Sequence, residues 1–302
     1  MKAFNGKRRP DIQWNRSTYA ASSIRGMEAC IVGGTAGIGR ALALALAAAG
    51  AQVTVVGRTF RDQGVAGLRF LKADLTLMKD ALRTAREIPA EKLDLLVFTA
   101  GIMAAPKRGE TAEGIESDLA ISYLNRHVML RELAPRLGKE RSAVRGKPRI
   151  FVFGFPGTNQ LGNIEDFNSE RSYHFMASHS NTVIGNEALV LDSAKRYPGI
   201  NFYGLNPGLI RSSIRGNVVG TAGLMAGFTE SLIGLLFPSA EKYAANTVPL
   251  LVSPDLERHS GAMFGRKGDA IEPSESLTDS ARVHRVMELS DLLAARALGT
   301  AA

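Results

Sequence analysis

Short apolar runs alternate with helical spacing along most of this chain. Cys30–Val32 reads as a buried strand, broken by a glycine turn that leads into an alanine/leucine helix stopping at Gly50. Gln52–Val56 and Leu68–Lys72 read as further strands, and Thr76–Ile88 as a helix with Thr76 as its N-cap. Leu93–Phe98 is an apolar strand, Glu113–Leu137 a long amphipathic helix and Ile150–Phe153 a short strand. A helix from about Ser180 to Arg196 leads to strand Ile200–Leu205, and Gly261–Phe264 reads as the last strand. Strands alternating with helices predict an α/β fold, a doubly wound parallel sheet in a single domain.

The ends and one apolar stretch stand apart. Residues 1–26 form a basic extension (Lys7, Arg8, Arg9, Arg16, Arg25) with Trp14 and Tyr19 expected to pack on the domain 27–271; residues 272–302 read as a tail. The segment Val218–Phe237 carries Leu224, Met225, Phe228, Leu232, Leu235 and Leu236 at helical spacing. It suits either a core helix or an apolar helical lid over a ligand pocket, with contact at a membrane surface a third reading. It is too polar and glycine-rich for a transmembrane span.

Composition narrows the class. The chain has 302 residues, 45% hydrophobic and 22% charged, ordinary for one large α/β domain. The formal net charge of +8 suits attraction to anions, but the basic residues are scattered and no nucleic-acid reading motif appears. The single Cys30 rules out a disulfide framework and fits a reducing, cytoplasmic setting, whereas the Arg-rich, acid-poor leader also suits a mitochondrial address. No metal-ligand spacing is evident.

The strand–turn–helix at Gly33, Gly37 and Gly39 is the arrangement of a Rossmann-type dinucleotide site. Gly33 permits a sharp exit from the strand, Gly37 leaves backbone N–H groups open to phosphate, and Gly39 permits close helix–strand packing. Thr35 and Ile38 complete the turn. The end of the second strand holds Gly57-Arg58 and no carboxylate, and Arg40 follows Gly39. Two guanidinium groups near the adenosine ribose favour NADP(H) over NAD(H).

With these motifs the chain resembles the short-chain dehydrogenase/reductase superfamily, especially its retinol-dehydrogenase-like members, over roughly residues 27–271. The resemblance rests on Gly33/Gly37/Gly39, on Asp74 after the third strand, on Thr99-Ala100-Gly101 and on Pro207-Gly208. It implies Asp74 near the adenine, Thr99, Ala100 and Gly101 along the cofactor, Pro207-Gly208 on the nicotinamide side, and Ser212 near the carboxamide. It also implies catalysis by Tyr, Lys, Ser and Asn, with pairing through the long helices common. The four catalytic positions depart from that pattern. None of the six tyrosines has a lysine four residues later. The resemblance puts His179 at the Tyr position and Val183 at the Lys position, Phe155 for the Ser and Ser122 for the Asn; a neighbouring alignment offers His174 and Ser178 instead of the His179 pair.

An imidazole transfers protons near neutrality without the cationic help a phenol needs. His179 and Ser122 are therefore the candidate catalytic residues, with Thr158, Asn159, Tyr123 and Tyr173 as neighbouring polar groups. Three readings follow: an atypical NADP(H)-dependent oxidoreductase of small-molecule metabolism, an isomerase, cyclase or dehydratase on this fold, or a silent cofactor-binding protein acting through a partner. A pocket lined by Phe155, Val183, Met225 and Phe228 favours a largely apolar substrate, and a homo-oligomer is compatible with any of the three.

Overall fold

The computed structural model describes residues 6–16, 23–141, 145–208, 210 and 238–300. The lid stretch 218–237, with Met225 and Phe228, and the positions of Ser212 and Tyr19 lie outside the described residues. An eight-stranded sheet runs β3-β2-β1-β4-β5-β6-β7-β8. Its strands are β1 Glu28–Val32, β2 Gln52–Gly57, β3 Leu68–Lys72, β4 Leu95–Phe98, β5 Arg149–Phe153, β6 Asn201–Leu205, β7 Ala262–Phe264 and β8 Ala270–Ile271. All neighbours pair in parallel except β7 and β8.

Side chains alternate across each strand, so each strand feeds two cores. Ile31, Val55, Val97, Phe151 and Tyr203 face a layer that includes α1 (Gly37–Ala48) and α6 (Ala240–Val252). Val32, Val56, Phe98, Val152 and Phe202 face a layer that includes α2 (Met78–Glu87), α4 (Asn125–Leu133), α5 (Phe175–Arg196) and α7 (Ser280–Leu298). Burial on both faces explains why the strands read as continuous apolar runs.

Several elements differ from the sequence reading. Thr76 does not cap α2: its hydroxyl donates to Asp74, and Glu113, 35 residues from Met78, accepts from the Met78 and Lys79 amides instead. The long helix begins at Ser117, because Glu116 caps the amides of Asp118 and Leu119, and ends at Leu133. It is interrupted as well: α3 (Ser117–Leu119) passes through a π-helical turn, Ala120–Leu124, into α4. Asn125 donates to the Ala120 and Ile121 carbonyls at that widened turn (2.8 and 2.7 Å). The α5 helix starts five residues earlier than expected, which seats His179 inside its first turns.

The described parts of both ends are structured. Residues 7–9 extend the sheet beyond β8, Arg9 donating to the Ala270 carbonyl and Glu272 to that of Lys7, and the Trp14 indole donates to the Gly268 carbonyl at 2.7 Å. The stretch read as a tail carries α7, packed on α5 and α2. Among the described residues no helix is long and apolar enough to cross a membrane.

Candidate active site

The strand order reverses between β1 and β4, and their carboxyl ends hold the glycine turn on one side and Thr99–Gly101 on the other. In open α/β sheets this crevice is where ligands bind. A Cβ on Gly39 would stand 2.3 Å from Thr99 Oγ1 and 2.4 Å from the Gly33 carbonyl, and one on Gly33 2.4 Å from the Ala100 amide. Both bare positions are thus required by the packing of α1 and β4 against the turn. The α1 N-terminus has no side-chain cap and no acid in its first turn, so its amides and its dipole are left for an anion. Gly37 adopts φ +52° at that terminus. Ile38 packs on the α1-side core, and Thr35 sits against Gly57 at the end of β2. These features fit the pyrophosphate of a dinucleotide.

The two arginines expected at the ribose separate in role. Arg40 is engaged: its Nε donates to both Asp62 oxygens (2.8 and 3.1 Å), and the bond to this nearly buried acid raises the guanidinium above its ordinary range. Arg58, just past β2, is exposed. Asp74 accepts from the Thr76 amide and hydroxyl (3.1 and 2.7 Å), which orders the turn after β3. At the end of β6, Gly208 has φ +66° and donates to Asn206. Pro207 lines a cavity of about 350 Å³ with Ile210, Tyr243, Asn246 and Arg266.

The reaction end is built on α3, α4 and α5. His179 Nδ1 lies 2.7 Å from Asp118 Oδ2. The other Asp118 oxygen accepts from the Ser122 hydroxyl, which in turn accepts from the Ile102 amide at 3.0 Å. One polar line therefore runs from the loop after β4 through Ser122 and Asp118 to the imidazole. Nδ1 is the nitrogen that faces the carboxylate, and Nε2 is the one directed away from it. No bond from that nitrogen to a described residue is present, and the His179 side chain is 10% exposed. The Phe155 ring meets the imidazole edge-on, centroids 6.1 Å apart.

His179 and Ser122 both bond Asp118, which sequence reasoning missed; its signal was an acid four residues before Ser122. A second omission lies four residues beyond Ser122. Arg126 is buried and donates to the carbonyls of Ala100 and Phe153 and, at 2.8 Å, to Asn186 Oδ1. Asn186 in turn donates to the Ser122 carbonyl (2.9 Å).

Val183 is 2% exposed, buried on α5. His174 precedes α5 as an exposed residue. Thr158 donates to the Phe155 carbonyl, Tyr173 to that of Ala105, Asn159 accepts from the Glu275 amide, and Tyr123 bonds Ser290 in the core. Burial pushes the phenols of Tyr123, Tyr173, Tyr203 and Tyr243 upward, away from proton transfer at neutral pH.

Comparison with known proteins agrees with this architecture. The short chain dehydrogenase family pattern matches residues 28–143. An uncharacterized oxidoreductase of Saccharomyces cerevisiae is 43% identical over 296 residues, covering 97% of this chain and 96% of its own. The polyprenol dehydrogenase of Mus musculus is 28% identical over 276 residues, covering 84% and 79%. Among solved structures, a 3-oxoacyl (acyl-carrier-protein) reductase of Agrobacterium tumefaciens with NADP bound superposes with a TM-score of 0.60 at 19% identity, over 85% of this chain and all of the other. The chain belongs to the short-chain dehydrogenase/reductase family. Within it, the chain is an oxidoreductase.

Proposed function

We propose that this protein interconverts a carbonyl and an alcohol on a small, largely apolar metabolite using NADP(H), with His179 as the proton carrier. The observation that carries the reading is the 2.7 Å Asp118–His179 contact, tied through Ser122 to the loop after β4. Gly33, Gly37, Gly39 and the α1 N-terminus would hold the pyrophosphate, and Arg58 would meet a 2′-phosphate. A nicotinamide bound there supplies or takes up hydride.

The chain's own residues handle the proton. Protonated His179 donates from Nε2 to the carbonyl oxygen, and in the reverse direction neutral Nε2 accepts the alcohol proton. Asp118 orients the ring and stabilises its charged form, as a carboxylate does for a catalytic imidazole elsewhere. With Phe155 in place of a hydroxyl donor, the imidazolium itself polarises the oxygen. Leu161, in the segment between β5 and α5, and Phe175 and Met176, in the first turn of α5, are exposed and offer apolar surface for the substrate.

The test is NADPH oxidation followed at 340 nm with a panel of apolar ketones and aldehydes, alongside thermal melts with NADPH and NADH. Turnover of at least one carbonyl is expected, with His179→Asn lowering kcat by roughly 10²–10⁴-fold while NADPH still protects against melting. Full activity of His179→Asn would overturn the assignment.

A further inference from the structure

The geometry points to Arg126 as the positioning residue for the His179 proton carrier: from α4 it ties the carboxyl ends of β4 and β5 to α5 and sets a fixed positive charge within electrostatic reach of the carboxylate that holds the imidazole. This inference rests on the proposed role of His179.

Arg126 is 3% exposed, and its bonded partners are all uncharged: two backbone carbonyls and the Asn186 amide oxygen. Its Nε is sealed and without a partner. A guanidinium held by carbonyls keeps its charge uncancelled, unlike Arg40 against Asp62. The acid that feels it is Asp118, and burial pulls Arg126 down to about 9 against that attraction, which leaves it charged at neutral pH. A Cβ on Gly101 would stand 3.3 Å from Ser122 Oγ and 3.7 Å from Arg126 Nη2, so both reach the same point of the crevice wall. Val183, on α5, supplies no charge, and the cation arrives from α4 instead.

The groups around His179 come from every packed element. Asp118 lies on α3, and buried Glu116 at its start reaches Ser178, with its carboxyl pushed up by burial and by Asp118. Tyr173 precedes α5, feels Glu116 and Asp118, and has Arg108 nearby. Against these acids Arg126 is the counterweight. Removing that charge is therefore expected to favour the charged form of the imidazole that Asp118 faces.

The experiment is an NMR titration of the imidazole in the protein without cofactor or substrate, with His179 signals assigned by their loss in His179→Asn. Arg126→Gln keeps a donor for the carbonyls and loses the charge; its His179 midpoint is expected at higher pH than in the parent. Arg126→Lys keeps the charge and is expected to titrate like the parent. A folded Arg126→Gln with an unmoved midpoint overturns the proposal and leaves Arg126 a packing residue. Should Arg126→Gln fail to fold, Asn186→Asp sets a carboxylate against the guanidinium and is expected to move the midpoint upward; no movement there also overturns it. Because turnover is not measured, the result stands apart from the kinetic test of His179.

Discussion

At the residue scale, two contacts divide the labour of the site. Asp118 faces Nδ1 of His179 and leaves Nε2 directed away from it, so replacing the carboxylate leaves the ring present but without that anchor. Asp118→Asn is expected to lower kcat by about 10²-fold or more with little change in NADPH affinity, measured by steady-state kinetics and by fluorescence titration. At the other end of the crevice, Arg58 is exposed while Arg40 is spent on Asp62. Arg58→Ala should weaken NADPH binding by about tenfold, the value of one lost charge-assisted contact, and leave NADH binding unchanged. Equal loss for both nucleotides would refute a role at the 2′-phosphate. Neither division was legible beforehand. Arg40 and Arg58 look equivalent in the sequence, and only the fold brings Asp62, 22 positions beyond Arg40, onto one of them.

The next scale is that of elements. The α1 helix touches β4 through a position with no room for a single carbon. Gly39→Ala should therefore force α1 away from Thr99, cost about 1–3 kcal/mol in denaturant unfolding and abolish NADPH protection in melts. The helix that carries Asp118, Ser122 and Arg126 shows a different logic. Its π-helical turn lies between the first and last of these residues, and π turns are frequent at functional sites. The side chain of Asn125 meets the carbonyls there, so the irregularity is supported from within the helix. Helical periodicity predicted one long helix from Glu113 because apolar spacing does not register a widened turn, and because Glu113 itself serves another helix. Glu116→Ala removes the cap of α3 and should cost about 0.5–2 kcal/mol in the same unfolding assay.

Across the whole molecule, α7 closes the layer that carries the site. It meets the helices of that layer through Tyr123–Ser290 and through His127, whose Nε2 lies 2.7 Å from Asp291. Burial holds the His127 imidazole below its ordinary value of 6.5, with the Asp291 bond opposing that shift. The unfolded chain therefore takes up a proton near 6.5 that the folded chain refuses; stability from this site is full above that pH and is lost as pH falls below it. Asp291, raised by burial but lowered further by His127 and Arg131, loses its contribution in the same direction at more acidic pH. The melting temperature should fall as pH drops below 6.5, and His127→Gln should flatten that dependence; identical pH profiles would show that the pair does not control docking.

The sequence by itself determined the alternation of strands and helices and the glycine turn, because both depend on spacing within a few residues: apolar runs that fit a doubly buried strand, and bare positions where a helix leaves it. It also offered His179 and Ser122 as candidates. The tertiary structure alone decided what acts on them. Asp118 meets His179 across 61 residues, Arg126 meets Asn186 across 60, and Glu113 caps a helix 35 residues away. Contacts of that separation are set by which strands become neighbours in the sheet, and no local pattern along the chain records them.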